Sequence, residues 1–366
     1  MPRTTSSSLA PPARRALPAL LLVLALVAGA CSDGDGEGTS STTAPPGPLT
    51  TGTVPVPVEV EPSPGCEGDP PAPGRRTVEV RAAGIERSYA IYVPEGLTPG
   101  RPAPLVLQFA EASPASDQER ISGLSEAAAD GTVPAEEWGA VVVTPEPLGG
   151  DDPRRTWNLT DQEGWADDTT FVTNLMLDVR ATTCLDLSRT IVVGFGVGGS
   201  MAAQMACANA NDVTLLVGVA GLEFPPECDP VRPLPILMVH GIDDPVLPID
   251  GGGDLAPLGL GPDTTAGLAD LLARRPSVRA TALDWVERND CETEPAADDV
   301  APGANRSTWT GCNQGATVTL VSIEGAGHTW PGSQGMDDLV PALGPVADDV
   351  DANDLIWDTF QAQLPD

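Results

Sequence analysis

The chain has no lysine: all 19 of its basic residues are arginine, against 52 acidic ones, for a formal charge of -33. Binding to nucleic acid rests on concentrated positive charge along a phosphate backbone, so nucleic acid is excluded as an expected partner. Bare anionic surfaces would repel the chain for the same reason, and the acidic excess reads as a solvated surface that keeps it soluble. Histidine is almost absent, with only His240 and His328, and no CxxC or CxxH spacing occurs among the seven cysteines. Neither a metal site nor any other cofactor is therefore expected. Long apolar runs are also missing, apart from one near the start that falls short of the roughly 20 residues a spanning helix needs.

That one run carries information about location. Arg3, Arg14 and Arg15 precede the apolar stretch Ala16 to Val27, which ends in Ala28-Gly29-Ala30-Cys31. The pattern resembles a bacterial lipoprotein signal peptide over residues 1–30, cut before Cys31, which then carries lipid. Plain secretion and a retained anchor are the alternatives. Residues 31–65 are mostly Gly, Ser, Thr, Pro and Asp with little to bury, as expected of a disordered tether. The expected location is the bacterial cell envelope, on the outer side of the cytoplasmic membrane, or the medium. The membrane would be met only through the lipid on Cys31.

Residues 66–366 remain for one folded domain. Apolar runs of strand length alternate there with helix-like segments: Tyr89 to Val93, Leu105 to Phe109, Ala140 to Thr144, Ile191 to Phe195, Leu215 to Val219, Ile236 to Val239 and Val318 to Ile323. Runs that are apolar throughout suit strands buried on both faces. Helices are expected over Asp117 to Ala129, Thr169 to Thr182, Ser200 to Ala210, Thr264 to Ala273 and Asp351 to Gln363. The alternation predicts an α/β fold, a mostly parallel doubly wound sheet with helices on both faces, whose ligands collect at the carboxyl ends of the strands. With Cys31 assigned to lipid, six cysteines remain for three disulfides in an exported domain. Sequence alone allows 15 pairings of six; Cys66–Cys184, Cys207–Cys228 and Cys291–Cys312 are the proposed set.

The chemistry-bearing segments fall at strand ends. Gly194-Phe195-Gly196-Val197-Gly198 has the shape of a G-x-S-x-G nucleophile elbow with glycine where the serine should be. His240-Gly241-Ile242-Asp243-Asp244 and Gly325-Ala326-Gly327-His328-Thr329-Trp330 follow later strands. Elbow, acid, histidine is the chain order of α/β-hydrolase triads.

Through "RSYAIYVPEGL", "PAPLVLQF", "FVTNLMLDVRATTCLDLSRTIVVG", "CDPVRPLPILMVHGIDDPV", "WTGC" and "GAGHTWPG", the chain resembles the secreted polyhydroxybutyrate depolymerases and feruloyl or acetylxylan esterases, which are α/β hydrolases. The resemblance covers roughly Cys66 to Phe360, and the family's cysteine pattern supports the proposed pairs. It implies a nucleophile position at Gly196, a triad acid at Asp244 with Asp243 as neighbour, and a triad histidine at His328. It also implies an oxyanion-binding His-Gly pair after the strand Leu105 to Phe109, where this chain has Ala110-Glu111. Ala110, Glu111, Val197, Trp157 and Trp330 are the expected lining of the cleft.

Without a hydroxyl at position 196 no acyl-enzyme can form, and loss of a triad member costs about a million-fold in turnover. Three readings follow. The first is a catalytically silent esterase homologue binding a small ester, an aromatic acid, a glycan-derived ligand or an envelope protein in the old cleft. The second is an active esterase using Ser200, in the degenerate elbow Gly198-Gly199-Ser200-Met201-Ala202, or a water activated by His328 and Asp244. The third is a structural envelope protein without a ligand. An emptied elbow, a Ser200 within reach of His328, or a cleft filled by Glu111 would favour each in turn. Sequence gives no oligomeric state.

Overall fold

The computed structural model describes residues 60–148, 156–159, 165–223, 225, 228–260, 269 and 272–364. The expected signal peptide, Cys31 with its expected lipid and nearly all of the expected tether lie outside the described residues, as does most of the helix expected over 264–273. Everything below concerns the compact unit that contains the sheet.

Ten strands form one sheet: β1 (Gly74–Ala82), β2 (Ile85–Val93), β3 (Ala103–Phe109), β4 (Val141–Pro145), β5 (Leu185–Phe195), β6 (Leu215–Val219), β7 (Ile236–Gly241), β8 (Ala296–Ala301), β9 (Ala304–Trp309) and β10 (Val318–Ile323). Their spatial order is β1-β2-β4-β3-β5-β6-β7-β10-β9-β8. The six strands from β4 to β10 run parallel, and an antiparallel pair closes each edge. The helices are α1 (Ala115–Ser122), α2 (Pro134–Trp138), α3 (Asp168–Thr182), α4 (Val197–Ala208), α5 (Val278–Arg288), α6 (Val340–Leu343) and α7 (Ala352–Gln363). This is the mostly parallel α/β sheet that the alternation of runs predicted, in the α/β-hydrolase arrangement that the resemblance implied.

The parallel strands are apolar throughout because successive side chains feed two different cores. In β7, Ile236 and Met238 join Phe171 of α3, Met201 of α4 and Trp285 of α5 on one face. Leu237 and Val239 join Ile121 of α1, Ala135 of α2 and Phe360 of α7 on the other. The strands missing from the apolar-run reading are β1 at one edge and β8 with its neighbour β9 at the other. β1 alternates buried-side Val78 and Val80 with exposed charges, and β8 is largely exposed, so neither offers a continuous apolar run. Helix α5 was also missed, although its start is marked by Ser277, whose hydroxyl accepts from the Ala280 N–H at 3.1 Å. The helix expected over Asp117 to Ala129 stops earlier, at Gly123, which takes a left-handed φ of 64°.

Three disulfides are present, Cys66–Cys184, Cys207–Cys228 and Cys291–Cys312, the set proposed from the sequence. They assign the domain to an oxidising compartment outside the cytoplasm. The folded part begins a few residues before Cys66, which shortens the expected tether. Pro62 bridges to Asp186, the Ser63 N–H donates to Leu185 O at 2.8 Å and its hydroxyl to Thr183 O at 2.7 Å. Gly65 is required there, since a Cβ would meet the Thr183 backbone at 2.5–2.6 Å.

Candidate active site

Four strands deliver the site from their carboxyl ends. Between β5 and α4 the chain turns at Gly196 with φ 53° and ψ -125°, a conformation glycine adopts without steric cost. The Gly196 N–H is held by Val219 O at 3.0 Å. Small residues let the neighbouring turns close on one another, and a Cβ on Gly198 would collide with the carbonyl oxygens of Phe109 and Ala110 at the end of β3. The elbow geometry is therefore intact although its side chain is gone.

The acid and histidine loops are joined by backbone hydrogen bonds, Ile242 N–H to Ile323 O at 2.9 Å and Asp243 N–H to Ala326 O at 3.0 Å. Asp244 is the residue turned inward. Its Oδ1 accepts from the N–H groups of Val246 and Leu247 at 2.8 and 2.7 Å, and its Oδ2 accepts from His328 Nδ1 at 2.8 Å. His328 is fully enclosed, and its own N–H donates to Leu343 O of α6 at 2.7 Å. His240 lies behind the acid, with Nε2 donating to Leu247 O at 2.8 Å and 3.4 Å from Asp244 Oδ2.

The remaining nitrogen of His328 decides what the site can do. Nε2 donates to Glu111 Oε1 at 2.9 Å, so the imidazole is clasped between two carboxylates. A Cβ placed on Gly196 would lie 3.0 Å from His328 Nε2, where a nucleophile belongs, but it would also fall inside contact distance of Glu111 Oε1 and 2.6 Å from Glu111 Cδ. The Glu111 carboxylate occupies the space that a side chain at position 196 would need. Behind it, Trp157 Nε1 donates to Ala110 O at 2.7 Å and packs edge-on to Phe109, which fixes the segment leaving β3.

Charge follows from this geometry. Burial alone would push the His328 pKa down, but the charges and hydrogen bonds of Glu111 and Asp244 outweigh it and raise it to about 10. His328 is thus an imidazolium at neutral pH, with both N–H groups committed and no lone pair to accept a proton. Asp244 would be raised by burial, but the neighbouring His328 charge and its hydrogen bonds bring it below its ordinary value. For His240 burial wins over the attraction of Asp244, and its pKa falls to about 4. The two histidines sit in opposite charge states across one aspartate.

Ser200 is placed one turn into α4, and its hydroxyl pairs with the Glu223 carboxylate. Glu223 was not singled out in the sequence, although it lies just past β6, another strand end. Burial pushes its carboxyl up, against Ser200 and Arg275, whose Nε is 3.9 Å from Oε1. Ser200 is thus engaged with Glu223, while the histidine's free position is filled by Glu111. The expected cleft lining is also enclosed: Ala110, Glu111, Val197, Trp157 and Trp330 are all buried, with Trp330 Nε1 donating to Asn353 Oδ1 at 3.2 Å. Instead of lining an open cleft, these residues are packed. The two cavities described lie elsewhere, one of about 130 Å³ between α3 and α4 and one of about 270 Å³ at the opposite ends of the strands.

Comparison with known proteins finds esterases. The sequence is 32% identical over 272 residues to "Putative esterase NocK" of Nocardia uniformis subsp. tsuyamanensis, covering 69% of this chain and 73% of that protein. The chain belongs to this esterase family. A further member, feruloyl esterase B of Piromyces equi, is 29% identical over 254 residues, 66% of this chain but 42% of that protein's length. Feruloyl esterase D of Neurospora crassa is 24% identical over 281 residues, 73% of this chain and 82% of its own. No protein-family model matches the sequence. Among solved structures, a ferulic acid esterase superposes with a TM-score of 0.38 at 14% identity, over 47% of this chain and 81% of that one. In this esterase-family chain Asp244 and His328 meet at the strand ends, and the Glu111 carboxylate occupies the space beside Gly196.

Proposed function

We propose that this protein is an extracytoplasmic member of the esterase family that does not hydrolyse carboxylic esters through a serine, held at the cell envelope by lipid on Cys31. The observation that carries this reading is the Glu111 carboxylate lying in the space of a residue-196 side chain while accepting from His328 Nε2. A serine hydrolase needs a hydroxyl beside a neutral imidazole. Here the hydroxyl is absent and the imidazole is held protonated between two carboxylates. Ser200 does not supply the missing group, because its hydroxyl already pairs with Glu223. The enclosure of Ala110, Glu111, Val197, Trp157 and Trp330 argues against a resting cleft for an ester, aromatic acid or glycan-derived ligand. In the envelope, a structural role or the binding of a protein partner on the outer surface is the reading left.

The test is hydrolysis of p-nitrophenyl acetate by the parent, Gly196→Ser, Glu111→Gly and the double variant. The expected result is background rate in the parent and in both single variants, because a serine alone collides with Glu111 and a glycine alone leaves no nucleophile. The double variant gains activity that a His328→Ala change removes. Activity in the parent, lost with His328→Ala, would overturn the reading.

A further inference from the structure

The larger of the two cavities lies away from the triad, at the amino ends of the parallel strands. Thr214 and Pro235 in its wall directly precede β6 and β7, and its volume is about 270 Å³. Small-molecule sites usually hold roughly 300–1,000 Å³ behind mostly apolar walls. This cavity falls just below that size, and its wall is mostly polar, with Glu61, Ser188, Asn211, Arg232, Gln314 and Gln363 all on it. Amides and hydroxyls suit a ligand that is itself covered in hydroxyls, because each polar group taken out of water then meets a partner.

Arg232 sets the charge of that ligand. Acidic residues outnumber basic ones 52 to 19 in this chain, so carboxylates are plentiful for any arginine. Asp212, the carboxylate whose charge reaches Arg232, is nevertheless paired with Arg180 at 2.9 Å. Arg232 itself donates to two backbone carbonyls, from Nη1 to Pro233 O at 3.1 Å and from Nη2 to Val213 O. A guanidinium carries five N–H groups, so the plane is held in place while donors remain for an oxyanion.

The amides complete the lining. Gln363 Nε2 donates to Thr317 Oγ1 at 3.1 Å, and among the described residues nothing bonds to the side-chain amides of Asn211 or Gln314. Gln314 also holds its backbone at φ 55°, a left-handed conformation that glycine adopts without steric cost. The turn alone therefore does not account for a glutamine there. Glu61 is exposed and only accepts, so it suits a hydroxyl of the ligand instead of its acid group.

We propose that this cavity binds a small sugar acid, a polyhydroxylated carboxylate whose acid group pairs with Arg232 while its hydroxyls meet Asn211, Gln314 and Gln363. The site is separate from Asp244 and His328, so it stands whichever way the p-nitrophenyl acetate test falls. Its own test is a calorimetric titration with D-gluconate, beside D-sorbitol, which has the same carbon chain without the acid, and hexanoate, which has the acid without the hydroxyls. The expected result is saturable gluconate binding, with either control weaker by about tenfold or more. Arg232→Gln weakens gluconate about ten- to a hundredfold, the loss of a charge-assisted hydrogen bond. That variant also loses bonds to two backbone carbonyls and can fail to fold, so Gln314→Gly supplies a second arm. It relieves the left-handed φ, leaves the melting temperature at or above the parent's, and weakens gluconate about two- to tenfold. No gluconate binding by the parent, sorbitol or hexanoate bound as tightly as gluconate, or unweakened binding by Gln314→Gly would each overturn the proposal.

Discussion

The two sides of the site are held by different means. On the β7–β10 side, Asp244 is held by two backbone N–H groups and His328, and the two loops are joined by backbone hydrogen bonds. On the β3–β5 side, the turn carries only Gly196 and the segment after β3 sends in Glu111. The difference teaches that the histidine side is held by packing as well as by chemistry. An imidazole with 0% exposure leaves a hole and an unpaired Asp244 if it is removed, whereas a hydroxyl at a glycine-compatible turn can be lost without cost to the fold. With glycine at position 196, Glu111 supplies the acceptor for His328 Nε2.

The largest expected effect comes from breaking the histidine side. His328→Ala leaves the carboxylates of Asp244 and Glu111 buried without their shared cation. Removing one partner of a buried ion pair costs about 3–5 kcal/mol, and we expect that loss in urea denaturation at neutral pH. The same substitution in an open serine-hydrolase cleft would be milder, so a cost below about 1 kcal/mol would mean that the triad is not a structural element.

The pH dependence of stability sharpens the comparison between the two histidines. His328 has its folded pKa raised to about 10, so its contribution is fully present below the unfolded value of about 6.5 and is lost as pH rises through 10. His240 has its folded pKa lowered to about 4, so the unfolded chain takes up its proton first and stability falls as pH drops from about 6.5 toward 4. Thermal melting across this range should show a maximum near neutrality. His240→Gln should flatten the acid limb and Glu111→Gln should draw the alkaline limb to lower pH. Limbs unchanged by both substitutions would show that other groups set the profile.

How much of this was legible in the sequence depends on the range of the contact involved. The parallel strands were legible because each is apolar on both faces, as in Leu215–Val219, and so were Asp244 and His328, since each follows such a strand. Edge strand β8 was not, since exposed Asp298 and Asp299 hide it, and helix α5 was missed although Val278, Ala282, Trp285 and Val286 recur at helical spacing on its buried face. The change of His-Gly to Ala110-Glu111 was visible as a departure. Its direction was not, because whether Glu111 turns outward or into the elbow depends on how the ends of β3 and β5 meet, 86 residues apart in sequence. The partnership of Ser200 with Glu223 was hidden for the same reason.

The smallest expected effect separates Ser200 from the site altogether. Ser200→Ala removes the hydroxyl partner of Glu223, whose other oxygen lies near Arg275, so the loss is that of one hydrogen bond to a buried carboxyl. Such a bond to a charged group contributes about 1.5–3 kcal/mol, less here because burial already pushes Glu223 toward its neutral form. We expect a drop of about 1 kcal/mol in stability. Reaction with a fluorophosphonate probe should be absent in parent and variant alike, because the imidazolium at His328 has no lone pair to activate any hydroxyl. Labelling of the parent that Ser200→Ala abolishes would transfer the nucleophile one turn along α4 and make Glu223, instead of His328, the group that activates it.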